Sequence, residues 1–252
     1  MIPDSHVTPD AWGVRPVLFS IGRVPVSSYS FFVLLGLVAA IALYFYNTRG
    51  RRSGHGLAVA TAALVGGIIG AKVPIWLVNL PKIIANPSAA AVLSGRTIVG
   101  GLIGGALAVW LVKRRLGIRE RLGNYLVPSL ALGIFFGRLG CYFTGCCYGV
   151  ATKLPWGVDF GDQIARHPTQ LYEAAFALVL LAIAQLTLDG WAPGVLFRAF
   201  MIVYFVWRFA IEFIRVNPAS ALGLTYYQLA AAAVVLGYGV RLWLSPTGEE
   251  PR

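Results

Sequence analysis

Lys72, Arg138, Glu173, Arg208, Glu212 and Arg215 all fall within, or at the edge of, long apolar runs of this 252-residue sequence. A charge at the centre of a bilayer costs at least ~2.5–3.5 kcal/mol, so each of these side chains needs a partner or a purpose. Positions 208, 212 and 215 have the spacing that places side chains on one helical face, where they pair along it. Arg138 has no acidic residue within a turn of its own helix, which leaves it available for an anion. A guanidinium suits a phosphate, because its planar fork forms paired hydrogen bonds to phosphate oxygens and stays charged at physiological pH. The same residues are compatible with a structural ion pair between Arg208 and Glu212 that ties helices together.

The cysteines, Cys141, Cys146 and Cys147, crowd into one short stretch, and the sequence contains no others. A Cys141–Cys146 disulfide in an oxidising compartment, a thiol that carries a group transiently, and small packing residues at a turn are all compatible with it. Packing is the simplest of these. No metal centre is expected, since the spacing lacks a second ligand pair, and no cofactor is implied. His6 and His55 lie in a tail and a loop, neither of which reads as a ligand site.

The elements that position these groups follow from composition. Hydrophobic residues make up 58% of the chain and charged residues 12%, about half the charge of an ordinary soluble domain, and mean hydropathy is +0.72. So little polar surface excludes a water-soluble enzyme, a disordered chain and a disulfide scaffold, and leaves an integral membrane protein. The net charge of +11 fits basic cytoplasmic loops better than nucleic-acid binding, for which no reading motif is present. Residues 1–16 contain Asp4 and Asp10 and no basic start before an apolar core, unlike a cleaved signal peptide.

Apolar runs predict an all-α membrane domain over the whole chain, 1–252, with seven transmembrane helices near 26–46, 57–80, 97–112, 124–142, 170–188, 195–214 and 224–244. Arg49, Arg51 and Arg52 follow the first helix, and Lys113, Arg114, Arg115, Arg119 and Arg121 follow the third. Basic loops remain in the cytoplasm, which places the N-terminus outside and the C-terminus in the cytoplasm. In that orientation Arg138, Arg208, Glu212 and Arg215 lie at the outer ends of their helices. Tyr29, Gly100–Gly101, Arg166 to Glu173 and Gln228 lie at outer starts. A single polar cavity towards the outer leaflet is expected, and charges gathered on one side speak against a channel or transporter. Gly66, Gly67 and Gly70, then Gly104 and Gly105, then Gly133 and Gly137 recur at close to helical spacing and predict close helix packing.

Gly137-Arg138-Leu139-Gly140 with Gly145 and Tyr148-Gly149 resembles a signature of the prolipoprotein diacylglyceryl transferase family. So do the run Arg166-His167-Pro168-Thr169-Gln170-Leu171-Tyr172-Glu173 and the set Tyr204, Arg208-Phe209, Glu212-Phe213 and Arg215. Gly100-Gly101-Leu102-Ile103-Gly104, Tyr29 with Gly36, and Gly223-Leu224 with Gln228-Leu229 add weaker matches in the family's order. The resemblance implies a multi-pass protein of the bacterial plasma membrane, among membrane lipids. It would move the diacylglyceryl group of phosphatidylglycerol onto the cysteine thiol of a prolipoprotein at the outer face, releasing glycerol phosphate. By motif, Arg138 and Arg208 would hold the phosphate and stabilise the leaving group, and Tyr29 would line the catalytic site. Gly100, Gly101, Gly137, Gly140, Arg166, His167, Gln170, Glu173, Glu212 and Arg215 would bind the phospholipid or orient the arginines.

Two departures from the family pattern bear on the chemistry. Val99 stands where the family usually has a histidine, and Cys141 and Cys146 replace an asparagine and a glutamate. A cysteine thiol, with a pKa of about 8.5, must lose its proton before it attacks. Valine cannot accept that proton, which leaves His167, Tyr29 or Glu173. The loss also admits a lipid-binding descendant without turnover, serving as a subunit of a membrane complex, or a transferase with another acceptor.

Overall fold

The computed structural model describes residues 14–22, 24–49, 55–85, 97–119, 123–217 and 223–244. Asp4, His6 and Asp10 of the N-terminal segment, and Arg51, Arg52 and Arg121 of the basic loops, lie outside the described residues.

Helices occur at all seven expected places: α1 Ser28–Asn47, α2 Gly56–Ala85, α3 Ile98–Arg115, α4 Gly123–Thr144, α5 Thr169–Thr187, α6 Val195–Ile211 and α7 Tyr226–Leu244. Five contain stretches long and apolar enough to cross a membrane: Ser28–Asn47, Gly56–Leu77, Gly123–Thr144, Thr169–Gly190 and Tyr226–Leu244. The other two are α3, whose last turn is Lys113-Arg114-Arg115, and α6, which has 17 residues. Leu34, Val38, Ile41 and Phe45 form an exposed stripe along α1, a surface suited to lipid and costly in water.

The helices fall into two compact units, Gly50–Leu122 and a second made of Ile2–Arg49 with Gly123–Arg252. In the first, α2 and α3 meet through small residues. A methyl group on Gly104 would sit 2.5 Å from the Gly66 carbonyl oxygen and 2.6 Å from Gly70 Cα, so only hydrogen fits where the two backbones cross. Thr97 starts α3, its hydroxyl accepting from the Gly100 N–H at 3.0 Å while its own N–H donates to the Ala71 carbonyl at 2.9 Å.

In the second unit an antiparallel hairpin, β1 Val17–Ile21 and β2 Val24–Ser27, leads into α1. α1 packs on α4 with the Phe32 and Phe143 rings stacked at 5.1 Å. α5 meets α6 through Phe176 stacked on Trp207 at 4.4 Å. Between α4 and α5 the chain leaves the helical layer. That loop carries the two-residue strands β3 Val158–Asp159 and β4 Ala165–Arg166, which pair antiparallel. Its own small core is Val14, Val158 and Phe160, flanked by Tyr142 and Tyr148.

Candidate functional site

Three helices bring charge into the interior of the second unit, and each does so on its buried stripe. On α5 the buried residues Thr169, Gln170, Glu173, Ala174 and Ala177 recur with helical period. On α6 they include Tyr204, Arg208 and Ile211, with Glu212 opening the 3-10 turn that continues the helix. On α4 the stripe runs through Ala131, Ile134, Arg138 and Cys141. Each polar member occupies a position that the periodicity assigns to the core, so the charges meet partners and not lipid.

Glu173, only 1% exposed, is the hub. Arg138 Nη2 lies 3.0 Å from its Oε1 and 2.8 Å from its Oε2. Arg208 Nη1 donates to Oε1 at 2.7 Å, and Arg215 Nη1 donates to Oε2 at 3.3 Å. Glu212 forms a second node, accepting from Arg208 Nη2 at 2.9 Å, Asn217 Nδ2 at 2.5 Å and Thr225 Oγ1 at 3.2 Å. Three guanidinium groups thus face two carboxylates, leaving one positive charge in excess among these five residues. The Nε atoms of Arg138, Arg208 and Arg215 are buried and have no hydrogen-bond partner. Buried donors of this kind carry a full desolvation cost until an acceptor arrives. The arrangement suits one anion with several oxygens.

Arg138 has no acidic neighbour on its own helix, and Glu173 on α5 supplies its partner. Helical spacing identifies partners only within one helix, and this one comes from another.

The remaining sequence candidates divide. Gln170 is buried and donates to the Cys146 carbonyl at 2.6 Å, which fastens the start of α5 to the end of α4. Gly140 lets Tyr29 and Phe32 approach α4, since a methyl there would lie 3.2–3.3 Å from both. Tyr29 is thus placed by backbone packing against α4. A methyl on Gly137 would meet nothing within 4 Å, so the backbone beside Arg138 is open. Gly100 and Gly101 both face α2, where Gly100 is closed in by the Gly70 carbonyl and the Thr97 hydroxyl. Gly100 therefore lets α2 and α3 approach, while a methyl on Gly101 would make only ordinary contacts, 3.4 Å from the Gly67 carbonyl oxygen and 3.6 Å from Ala71 Cβ.

Arg166 and His167 stand apart from the buried network. Arg166 pairs with Asp162 through Nε at 2.8 Å and Nη2 at 2.5 Å, and its guanidinium lies 5.0 Å from the centre of the Tyr148 ring. Burial opposes the charged form of Asp162, but the hydrogen bond and charge of Arg166 outweigh it and hold the carboxyl below its ordinary range. His167 Nδ1 lies 3.3 Å from Tyr172 Oη, and that hydroxyl also accepts from Trp156 Nε1 at 2.8 Å.

Sequence reasoning missed Asn217, Thr225 and the role of Gly149. Thr225 and Gln228 form a reciprocal cap at the start of α7. The Thr225 N–H donates to Gln228 Oε1 at 2.9 Å, and the Gln228 N–H donates to Thr225 Oγ1 at 3.2 Å. Thr-x-x-Gln before an apolar run is a legible capping signal, and here the capping hydroxyl also donates to Glu212. Gly149 bridges to Arg215, and its N–H donates to the His167 carbonyl at 2.8 Å. A methyl at Gly149 would fall 2.5 Å from the Ile214 carbonyl oxygen, so this glycine lets the strand carrying Arg215 close on the loop.

The fold and site define a helical protein with segments apolar enough to cross a membrane and a buried, arginine-rich ion-pair network. The sequence matches the prolipoprotein diacylglyceryl transferase family over residues 16–244. It is 37% identical to the phosphatidylglycerol–prolipoprotein diacylglyceryl transferase of Clostridium tetani, covering 81% of this chain and 87% of that protein. The protein of the same name from Dehalococcoides mccartyi is 33% identical over 92% of this chain and 93% of its own, and that from Solidesulfovibrio magneticus is 32% identical over 91% and 92%. The chain belongs to the prolipoprotein diacylglyceryl transferase family.

Proposed function

We propose that this protein transfers the diacylglyceryl group of phosphatidylglycerol to the cysteine thiol of a prolipoprotein at the outer face of the bacterial plasma membrane. The observation that carries the reading is the excess of buried guanidinium over carboxylate, with three Nε–H groups lacking an acceptor. A phosphodiester is a monoanion and brings the missing charge and the missing acceptors together. As the thiol sulfur bonds to the glyceryl carbon, the bond from that carbon to the phosphate oxygen breaks. Negative charge then grows on the departing glycerol phosphate. Arg138 and Arg208 stabilise that charge, and because Glu173 already fixes them the site needs little reorganisation during the step.

In this reading all seven helices cross the membrane, with the N-terminus outside and the C-terminus cytoplasmic, and the arginines lie towards the outer leaflet. Glu173 is a poor choice of base, because three guanidinium groups engage its oxygens. Val99 is buried and apolar. His167 and Tyr29 remain as the groups able to take the thiol proton.

The test is transfer of labelled diacylglyceryl from phosphatidylglycerol vesicles to a lipobox peptide by the reconstituted protein. Arg138→Ala and Arg208→Ala should each lower the rate by about 10²–10³ or more, with Arg138→Lys as the conservative control and helix content verifying folding. Wild-type rates in either folded alanine variant would refute the reading, and a wild-type protein that binds the lipid without turnover would favour the non-catalytic descendant.

A further inference from the structure

Beyond the transfer reaction, the three cysteines form a feature that the arginine network does not use. α4 ends in a Schellman turn. Gly145, at φ +73°, donates its N–H to the Tyr142 carbonyl at 3.0 Å, and the Cys146 N–H donates to the Cys141 carbonyl at 3.1 Å. This turn sets its first and sixth residues against each other, usually as an apolar contact. Here both are cysteines, so the helix terminus itself pairs two thiols. Cys147 then adopts φ +67°, a left-handed conformation that a non-glycine residue rarely holds without support. Thr169 Oγ1 donates to its carbonyl at 2.7 Å, and Gln170 Nε2 donates to the Cys146 carbonyl at 2.6 Å. All three Sγ atoms consequently lie within 4.8 Å of one another.

We propose that Cys141, Cys146 and Cys147 are a three-thiolate site for a soft d10 cation, Zn(II) or Cu(I). A metal–sulfur bond of about 2.3 Å sets sulfurs roughly 3.8–4.0 Å apart in trigonal or tetrahedral geometry, so side-chain rotation alone closes the remaining gap. Thiolates select soft metals over Mg(II) or Ca(II). Cys141 is buried while Cys146 and Cys147 are partly exposed, which gives the ion a way in and leaves a coordination position open. The spacing along the chain lacks a second ligand pair. What supplies the third sulfur is the left-handed turn, which periodicity does not reveal. A carrier role for the diacylglyceryl group fails chemically: on cysteine sulfur it is a thioether, and its carbon has no good leaving group for a second transfer.

The experiment uses the full chain, purified in detergent under reducing conditions and loaded separately with Zn(II), Cu(I) or Mg(II) before dialysis. Elemental analysis should find one zinc or one copper ion per chain and no bound magnesium. Cys141→Ser, Cys146→Ser and Cys147→Ser should each weaken binding by more than about 100-fold, beyond the loss of an outer-shell partner. As a measurement that needs no variant, the loaded wild type should react with N-ethylmaleimide at least about tenfold more slowly than the metal-free protein. The proposal is overturned if neither zinc nor copper is retained. It also fails if both are retained equally by all three serine variants, or if mass spectrometry of blocked, unreduced protein from cells finds two of these cysteines joined as a disulfide.

Discussion

The α2–α3 pair and the α4–α5–α6 group are built from similarly apolar helices, yet they are held together by opposite means. Gly66, Gly70, Gly100 and Gly104 remove side chains so that two backbones come together. Arg138, Glu173, Arg208 and Glu212 insert large charged side chains into an interior and compensate them there. Lipid offers apolar helices little reason to associate, so membrane helices rely on close packing or on polar contacts. The glycine crossing has one geometric solution and no unmet chemical demand. The charged group costs desolvation and leaves the Nε–H groups of Arg138 and Arg208 without a hydrogen-bond partner, and the proposed function draws on that shortfall.

The comparison breaks hardest at Glu173. Glu173→Ala removes the carboxylate that three arginines share and leaves buried like charges, a change worth about 3–5 kcal/mol. The expected result is a large fall in thermal midpoint in detergent together with loss of transfer; an unchanged midpoint would mean that water reaches the arginines freely. Glu173→Gln should recover the shape and not the charge, and remain strongly impaired.

The glycine crossing should yield next. Gly104→Val places carbon atoms against the Gly66 carbonyl and Gly70 Cα, and overpacking of this kind costs roughly 1–3 kcal/mol. Stability should fall through displacement of α3 from α2, measured as faster proteolysis within 97–119. Gly137→Ala, where a methyl meets nothing, should leave stability unchanged. Thr225→Val removes the hydroxyl half of the reciprocal cap of α7 and a donor to Glu212, with an expected loss of about 1–2 kcal/mol. That exceeds the effect of Ser27→Ala, which deletes the cap of α1 and an exposed hydrogen bond to the Ser30 hydroxyl.

How much of this was legible depends on whether the cause is local. Helix positions follow from apolar runs, and all seven expected ones contain a helix, although only five are long and apolar enough to cross a membrane. The Arg208–Glu212 pair follows from spacing on a single helix. The Arg138–Glu173 contact could not be read, because residues 35 apart meet only once α4 and α5 have packed. At Gly100 and Gly101 two signals in the sequence compete. A motif resemblance favoured a headgroup, while the small-residue spacing they share with Gly104 pointed to packing. The Thr225–Gln228 cap was present as Thr-x-x-Gln and needed only to be noticed.

The smallest effect lies outside the helices and sharpens the comparison by contrast. Asp162 and Arg166 are an ion pair like those of the interior, but their side chains are 28% and 18% exposed, so water already solvates much of the charge. Exposed pairs contribute about 0.2–1 kcal/mol. The Asp162 carboxyl is held below its ordinary range in the folded protein. Its contribution is therefore fully present above the unfolded value, and it fades as pH falls through the lower folded one. Asp162→Asn should remove that small contribution near neutral pH and make no difference once the solution is acidic enough to protonate the wild-type carboxyl. Hydrogen exchange of the Gly161 and Gln163 amides, which donate to Asp159 at 2.8 and 3.0 Å, would follow the loop at each pH. A loss in Asp162→Asn as large as that in Glu173→Ala would show that burial is not what separates the two pairs.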